Sequence, residues 1–439
     1  MRLPFAAVIL ALTLACQAQS YFEIDGILYK EITKDPTRMQ VRVLVKNEDG
    51  EPGTHYPSFY TGEVVIPATI EHDLDTFEVT QIQKMAFNGC EGMTSLTIGE
   101  NVTEIPDYTL LSCPDLERVA LKGVVRLGEM AINNLPKLSS LDLGDRLEKI
   151  GRTAISNLSA LTTVKLPASL KTIDNNSFYN VESLTDVNLE NVEIFSSCFH
   201  DVPLREINLK AAKSIRGAFN GIYNLHKIRF GNNLKRIISS FGGLFQQEVD
   251  LSATKVDSIM GSFGFAGEGM SKVFFPSTLK YISNSFSSVE LDGLKFNSVG
   301  LVIKDSFNRM RCKKLVFGKE VSEVSGSFNN IECLEELVIL PDCKASFDDC
   351  FDKAIDLKLV VFNDRFTQYP KWSSMDNLED VYFSNPEPVG ELPSWLRYRD
   401  KLTIHVPKGA AEAYNNSWHI LEKQSVGSSV SIVEDTYRY

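Results

Sequence analysis

Cysteines, histidines and paired carboxylates are the residues from which this sequence could build chemistry, and their spacing argues against most of it. The eight cysteines show no C-x-x-C spacing of the kind a redox or zinc site uses. Cys90 and Cys113 stand at equivalent places in neighbouring repeats, where a small apolar side chain belongs, and read as buried thiols with a bridge as the alternative. Cys343 and Cys350 share one repeat and make a somewhat better pair. His55, His72, His200, His226, His405 and His419 are scattered without H-E-x-x-H or another ligand spacing. G-x-S-x-G, the phosphate-binding P-loop and the dinucleotide fingerprint do not occur. Asp348 and Asp349 are adjacent acids that could recruit a glycosidase reading, but such pairs on a polar surface are usually only solvated. The expectation is therefore no catalytic residue, no metal and no cofactor.

The elements that must position these residues announce themselves as a period. The pattern apolar-x-x-apolar-x-apolar runs from MTSLTI at Met93 through LERVAL at Leu116, LTTVKL at Leu161 and LHKIRF at Leu225 to RDKLTI at Arg399. Its middle apolar residue falls at Leu96, Val119, Leu141, Val164, Val187, Ile207, Ile228, Val249, Val273, Leu294, Leu315, Leu337, Val360, Val381 and Leu402, with steps of about 22 residues. A period of this length with L-x-x-L-x-L strands is the signature of a leucine-rich-repeat solenoid. The predicted fold is an α/β solenoid, a right-handed superhelix of about 15 repeats. A parallel β-sheet should form one face and short helical, 3-10 or irregular segments the other.

A second stripe comes from the other half of each repeat. An Ile or Val is followed four or five places later by an aromatic residue, giving the ladder Phe178, Phe199, Phe219, Phe241, Phe263, Phe286, Phe307 and Phe328. Each is preceded by Ser, Cys or Ala; earlier repeats use Phe87, Leu110 or Leu111, Ile132 and Ile155 instead. Equivalent residues stack in coils of constant length, so this stripe is expected to be a buried phenylalanine spine, with the small residue allowing close approach.

These segments resemble the BspA-type leucine-rich repeat, known from secreted and surface proteins of Bacteroides-like bacteria. The resemblance rests on AFNGC at Ala86–Cys90, SFYNV at Ser177–Val181, LPASLKTI at Leu166–Ile173 and FPSTLKYI at Phe275–Ile282. FEIDGILY at Phe22, YTGEVVIPATI at Tyr60 and IHVPKGAAEAY at Ile404 are similar to the family's opening, first strand and closing segment. The regular Asn of other leucine-rich repeats is replaced after the strand by Gly99, Pro167, Gly231, Pro276 and Gly318. The resemblance implies an extracellular binding or adhesion protein, and it brings no common catalytic residue.

Residues 1–18 have the layout of a secretory signal peptide: Arg2, an apolar stretch, then small residues with Cys16 and Ala18 at the places of an A-x-A-like cleavage. A lipoprotein signal ending at Cys16 is the alternative, and the expected location is secreted or on the outer cell surface. Residues 19–59 read as an amino-terminal β cap, 60–407 as the solenoid and 408–439 as a carboxy-terminal cap; an inserted loop or β finger should fill the gap between Ile66 and Leu96. Near the end, a Pro-rich stretch replaces the spine, and Trp395 is expected to fill part of its space. No later stretch is long and apolar enough to span a bilayer. A net charge of −12 argues against a pervasive nucleic-acid groove.

Function is left to the strand surface. Strand side chains alternate, so the residue between the last two apolar positions should face away from the core. That column reads Thr97, Ala120, Asp142, Lys165, Asn188, Asn208, Arg229 and Asp250, and then Phe274, Lys295, Val316, Val338, Val361, Tyr382 and Thr403. Its first half is polar and its second half apolar, a stripe of about 24 Å from Phe274 to Tyr382 at strand spacing. Exposed contiguous apolar patches mark interaction sites, so Phe274, Lys295, Val316, Val338, Val361 and Tyr382 form the expected binding site for a host or neighbouring-cell protein, or a glycan. The competing reading is that these apolar residues merely stabilise the sheet or meet a folded-back terminal segment.

Overall fold

The computed structural model describes residues 21–438 apart from 34–36, 55, 174–175, 246–247, 266–268, 367–368, 370–371, 373–374, 397–400 and 421–428. The expected signal peptide, Cys16 and His55 lie outside the described residues. The chain divides into two compact units: one holds the described residues up to Asn188 with Ser197–Val202, the other Leu189–Ser196 and Pro203 onward.

In the first unit Tyr21–Ile24, Ile27–Thr33 and Gln40–Val43 form an antiparallel meander, and Gln40–Val43 pairs in parallel with Asp75–Ile82. Asp75–Ile82 in turn pairs with Thr69–His72 through a two-residue hairpin turn at Asp73 and Leu74, both at positive φ. The gap between Ile66 and Leu96 therefore holds a β finger, and it completes the sheet begun by the first residues. The repeats that follow run three parallel ladders. The front ladder is Gly62–Ile66, Met93–Ile98, Arg118–Leu121 and Ser140–Asp142. A second joins Glu104–Ile105, Arg126–Leu127 and Lys149–Ile150, and a third joins Leu110–Leu111, Ile132–Asn133 and Ile155–Ser156. Register pairs Leu110 with Ile132 and Ile155, all fully buried, so Leu110 and not Leu111 carries the inner stripe.

The back of the second unit is a long parallel ladder made by the Ile/Val stripe. Ile194–Ser196, Ser214–Arg216, Arg236–Ile238, Ser258–Met260, Tyr281–Ser283, Leu301–Lys304, Val321–Ser325 and Ser346–Asp348 pair in that order. The inward place is Ile or Val in the six middle strands and Phe195 and Phe347 at the two ends; β-branched and aromatic residues suit a pleated, half-buried surface, which is why the back forms strands where helical or irregular segments were an expectation. Among the described residues, helix is confined to Ser394–Leu396 and Ala411–Trp418.

The phenylalanines close each coil. Phe219, Phe241, Phe263, Phe286, Phe307 and Phe328 are fully buried, and the pairs from Phe219 to Phe328 stack with centroids 5.1–5.4 Å apart and planes within 9°. Every one of them has φ between 56° and 60°, left-handed backbone that only a tightly determined turn imposes on an aromatic residue. The residue before it ties the turn to the next coil. Ser262 donates its backbone N–H to Ser285 Oγ, Ser285 to Ser306 Oγ and Ser306 to Ser327 Oγ, at 3.1–3.2 Å. Each hydroxyl donates in turn to the carbonyl two residues back, as Ser285 does to Ser283 at 2.7 Å. The small residue thus gives close approach and also satisfies a backbone donor that the turn leaves buried. After the front strand, Gly231 stands where a Cβ would fall 1.9 Å from the carbonyl oxygen of Lys210 in the preceding coil, so only glycine fits.

Beyond Phe351 the spine passes to tryptophan: Phe351 meets Trp372 at 6.0 Å, and Trp372 meets Trp395 at 5.1 Å, filling the space as expected for Trp395. Tyr414 and Trp418 of the closing helix are buried, and the Trp418 indole N–H donates to the Gly390 carbonyl at 2.9 Å.

Candidate interaction face

The front sheet at the end of the second unit joins Lys314–Phe317, Glu336–Ile339, Leu359–Phe362, Asp380–Phe383, Lys401–Val406 and Ser429–Glu434, all in parallel. Its register sets Val316, Val338, Val361, Tyr382, His405 and Val433 side by side. Alternation sends Leu315, Leu337, Val360 and Val381 into the core, each at most 1% exposed. The column that holds Val316 therefore lies on the outward side.

The structure places the six residues of the expected stripe unequally. Phe274 is 42% exposed and Val316 37%, and Lys295 is exposed too. Val338 and Val361 are 2% and 0% exposed, which corrects the expectation that both face solvent. Tyr382 is half-buried. Lys295 belongs to no strand: LDGLKF, Leu291–Phe296, holds no strand or bridge residue, the isolated bridge falling just before it at Glu290, and Leu294 is half-buried, so the stripe is interrupted between Phe274 and Val316. Thr403 is not in the column either. The strand Lys401–Val406 is offset by two residues from the repeat pattern, pairing Ile404 with Val381 and setting His405 beside Tyr382.

The end of the chain lies against the strands on either side of those that carry Val338 and Val361. After the strand Ser429–Glu434, Tyr437 meets the Tyr382 ring edge to face at 5.3 Å. Its hydroxyl hydrogen-bonds Lys314, whose ammonium is held above its usual pKa first by Glu336, 2.6 Å away, and also by Tyr437. Tyr382 and Lys314 lie on strands separated by the two that carry Val361 and Val338, so Tyr437 crosses both. His405 stacks on Tyr382 at 3.9 Å, with Nδ1 2.6 Å from Asp435 Oδ1 and Nε2 2.9 Å from Asp380 Oδ1. Burial, and then the charges of Asp435 and Asp380, push the Tyr382 phenol pKa up. Sequence reasoning did not find His405, Asp435 and Tyr437. The available signal was VSIVEDTY, an alternating apolar segment ending in an acid and an aromatic residue.

The buried thiols among the described residues offer no reactive centre. Cys90, Cys113, Cys198, Cys312, Cys343 and Cys350 are buried and unbridged, and Cys343 and Cys350 are separate thiols. Burial pushes the Cys90 thiol to about 11 and those of Cys113, Cys312 and Cys350 to about 12. Among the described residues no group of His, Cys, Asp and Glu has the geometry of a metal site. Among them, too, no helix is long and apolar enough to cross a membrane.

Comparison with known proteins places this architecture. Matches to the BspA type leucine rich repeat region, in six copies, span residues 72–379. No curated protein matches the chain. Among solved structures, the chain is similar to a leucine-rich repeat protein from Bacteroides ovatus, with 16% identity, a TM-score of 0.43, and 94% of this chain and 100% of that one covered. It is also similar to the pneumococcal vaccine antigen PcpA at 14% identity and a TM-score of 0.30, covering 95% of this chain and 99% of that one. A leucine rich cell surface protein from Faecalibacterium prausnitzii matches at 14% identity and a TM-score of 0.30, with 96% and 97% covered.

Proposed function

This chain belongs to the BspA-type leucine-rich-repeat family, and we propose on that premise that it is a non-catalytic binding protein, adhesin-like, secreted or held on the outer cell surface. The supports for the location are the family and the signal-peptide layout of residues 1–18, with Cys16 as the anchor in the lipoprotein alternative. The ligand in this reading is a protein of a host or neighbouring cell, or a glycan, met through the front face.

One observation carries the reading: Phe274 is an aromatic side chain 42% exposed on a strand whose neighbour Val273 is buried, with Lys272 exposed two residues before it and Lys295 exposed in the next repeat. Rigidly held aromatic residues are frequent hot spots of recognition. Val316 adds a second open apolar position. The other reading, a structural envelope component with no dedicated ligand, is favoured by the way Tyr437 crosses the remaining stripe.

Capture from extracellular-matrix proteins, mucins and bacterial surface extracts separates the two. The binding reading expects one ligand retained by the parent, with loss on Phe274→Ser and none on Asn188→Ser with Asn208→Ser. Equal capture by Phe274→Ser and parent removes Phe274 from the site, and no selective capture at all favours the structural reading.

A further inference from the structure

The strand Ser429–Glu434 buries little of itself against the strand it pairs with. Its acceptor, Lys401–Val406, holds Leu402, Ile404, His405 and Val406 buried, whereas no described residue from Val430 to Arg438 is buried. The segment nevertheless makes a full parallel register from Lys401↔Ser429 to Val406↔Glu434. Its side chains then use specific polar and aromatic contacts. Glu434 Oε1 accepts the Ala411 backbone N–H at 3.2 Å, Asp435 Oδ1 lies 2.6 Å from His405, and Tyr437 reaches Tyr382 and Lys314. The receiving groups belong to the repeat body and the arriving groups to a surface segment, which is the arrangement by which a sheet edge takes an extended peptide.

We propose that the edge of Lys401–Val406, together with His405, Tyr382 and Lys314, is an acceptor site for an extended polypeptide, and that residues 429–438 are its exchangeable occupant. The chemistry selects the ligand class. Apolar residues at alternate places match Val430 and Ile432 opposite Leu402 and Ile404. An acid follows for His405, and two places later an aromatic hydroxyl for Tyr382 and Lys314. Asp435 and Tyr437 fall on one side of an extended chain, so a peptide of this pattern satisfies both at once. The proposal deepens the binding reading, and it is testable apart from it, because Phe274 and Lys295 form no part of this site.

The test uses the complete chain with a specific protease site inserted between residues 421 and 428, nicked after folding, and a fluorescent synthetic peptide of residues 429–439 as the probe. Saturable uptake of the labelled peptide is expected, with affinity about 10-fold weaker when the peptide carries Tyr437→Ser. A nicked protein that keeps its melting transition and takes up no peptide, or that takes up both peptides equally, overturns the proposal. Hydrogen exchange on the intact chain decides the matter should nicking unfold it. Amides of 429–434 should then exchange about 100-fold faster than those of Lys401–Val406, since an edge segment opens locally; equal protection shows a permanent strand and overturns the proposal.

Discussion

Ser285 Oγ accepts the backbone N–H of Ser262 from the preceding coil at 3.1 Å, and both residues are at most 1% exposed. This bond ties successive coils together behind the phenylalanine stack, and the same atoms repeat it at Ser306 and Ser327. Removing the hydroxyl leaves a buried N–H unpaired. Ser285→Ala is therefore expected to cost about 1–3 kcal/mol, read as a lower denaturation midpoint. Ser285→Cys should cost less, because Cys350, at the equivalent place, donates its thiol to the Asp348 carbonyl at 3.2 Å as the Ser285 hydroxyl does to the Ser283 carbonyl.

The stack itself should be more sensitive. Phe286 packs between Phe263 and Phe307 at 5.2 and 5.1 Å, with planes within 7° of one another. Phe286→Ala is expected to cost roughly 3–5 kcal/mol and to broaden the thermal transition, since a repeat transmits damage mainly to its neighbours. An unchanged melting curve would show that the stack contributes nothing to cohesion.

Outward positions in one column should respond in opposite ways. Phe274→Ser is expected to shift stability by under about 0.5 kcal/mol, as open surface changes do. Val361→Ser, at 0% exposure on a strand that Tyr437 crosses, should lower the midpoint clearly. Comparing the two by chemical denaturation checks the crossing assigned to Tyr437.

Thiol chemistry should single out one cysteine. Thiols raised to about 12, such as Cys113 and Cys350, are protonated at neutral pH and buried as well. Cys333 is half-buried. A maleimide at pH 7 is expected to modify Cys333 first among the described cysteines, and the others only in denaturant, as peptide mapping would show.

The Lys314 contacts set a pH dependence at the alkaline end. Its pKa is raised from 10.5 by Glu336 and Tyr437, so the ammonium is favoured in the folded chain. That contribution is complete below pH 10.5 and is lost as pH rises through the folded value. The difference in melting temperature between parent and Lys314→Met should stay level up to that pH and shrink above it.

Periodicity made the repeat body legible. Residues such as Val249, Leu315 and Val381 recur because every coil must bury the same face against the next, and local pattern is enough to reveal that constraint. The phenylalanine spine was readable for the same reason. The serine bonds were not, because size alone explained the small residue, and only the coil spacing shows that the hydroxyl meets a backbone N–H.

The front face divides in the same way. Alternation determined that Phe274, Val316, Val338, Val361 and Tyr382 point outward. Whether an outward residue meets water depends on chain far away in sequence. The two-residue offset that brings His405 beside Tyr382 leaves no trace in the apolar pattern, since Leu402 and Ile404 suit the core equally. Tyr437 is likewise an ordinary terminal aromatic until strand pairing carries it across Val361 and Val338. Local periodicity sets which way a side chain points, and the tertiary structure decides what covers it, because cover is a contact between segments that no repeat relates.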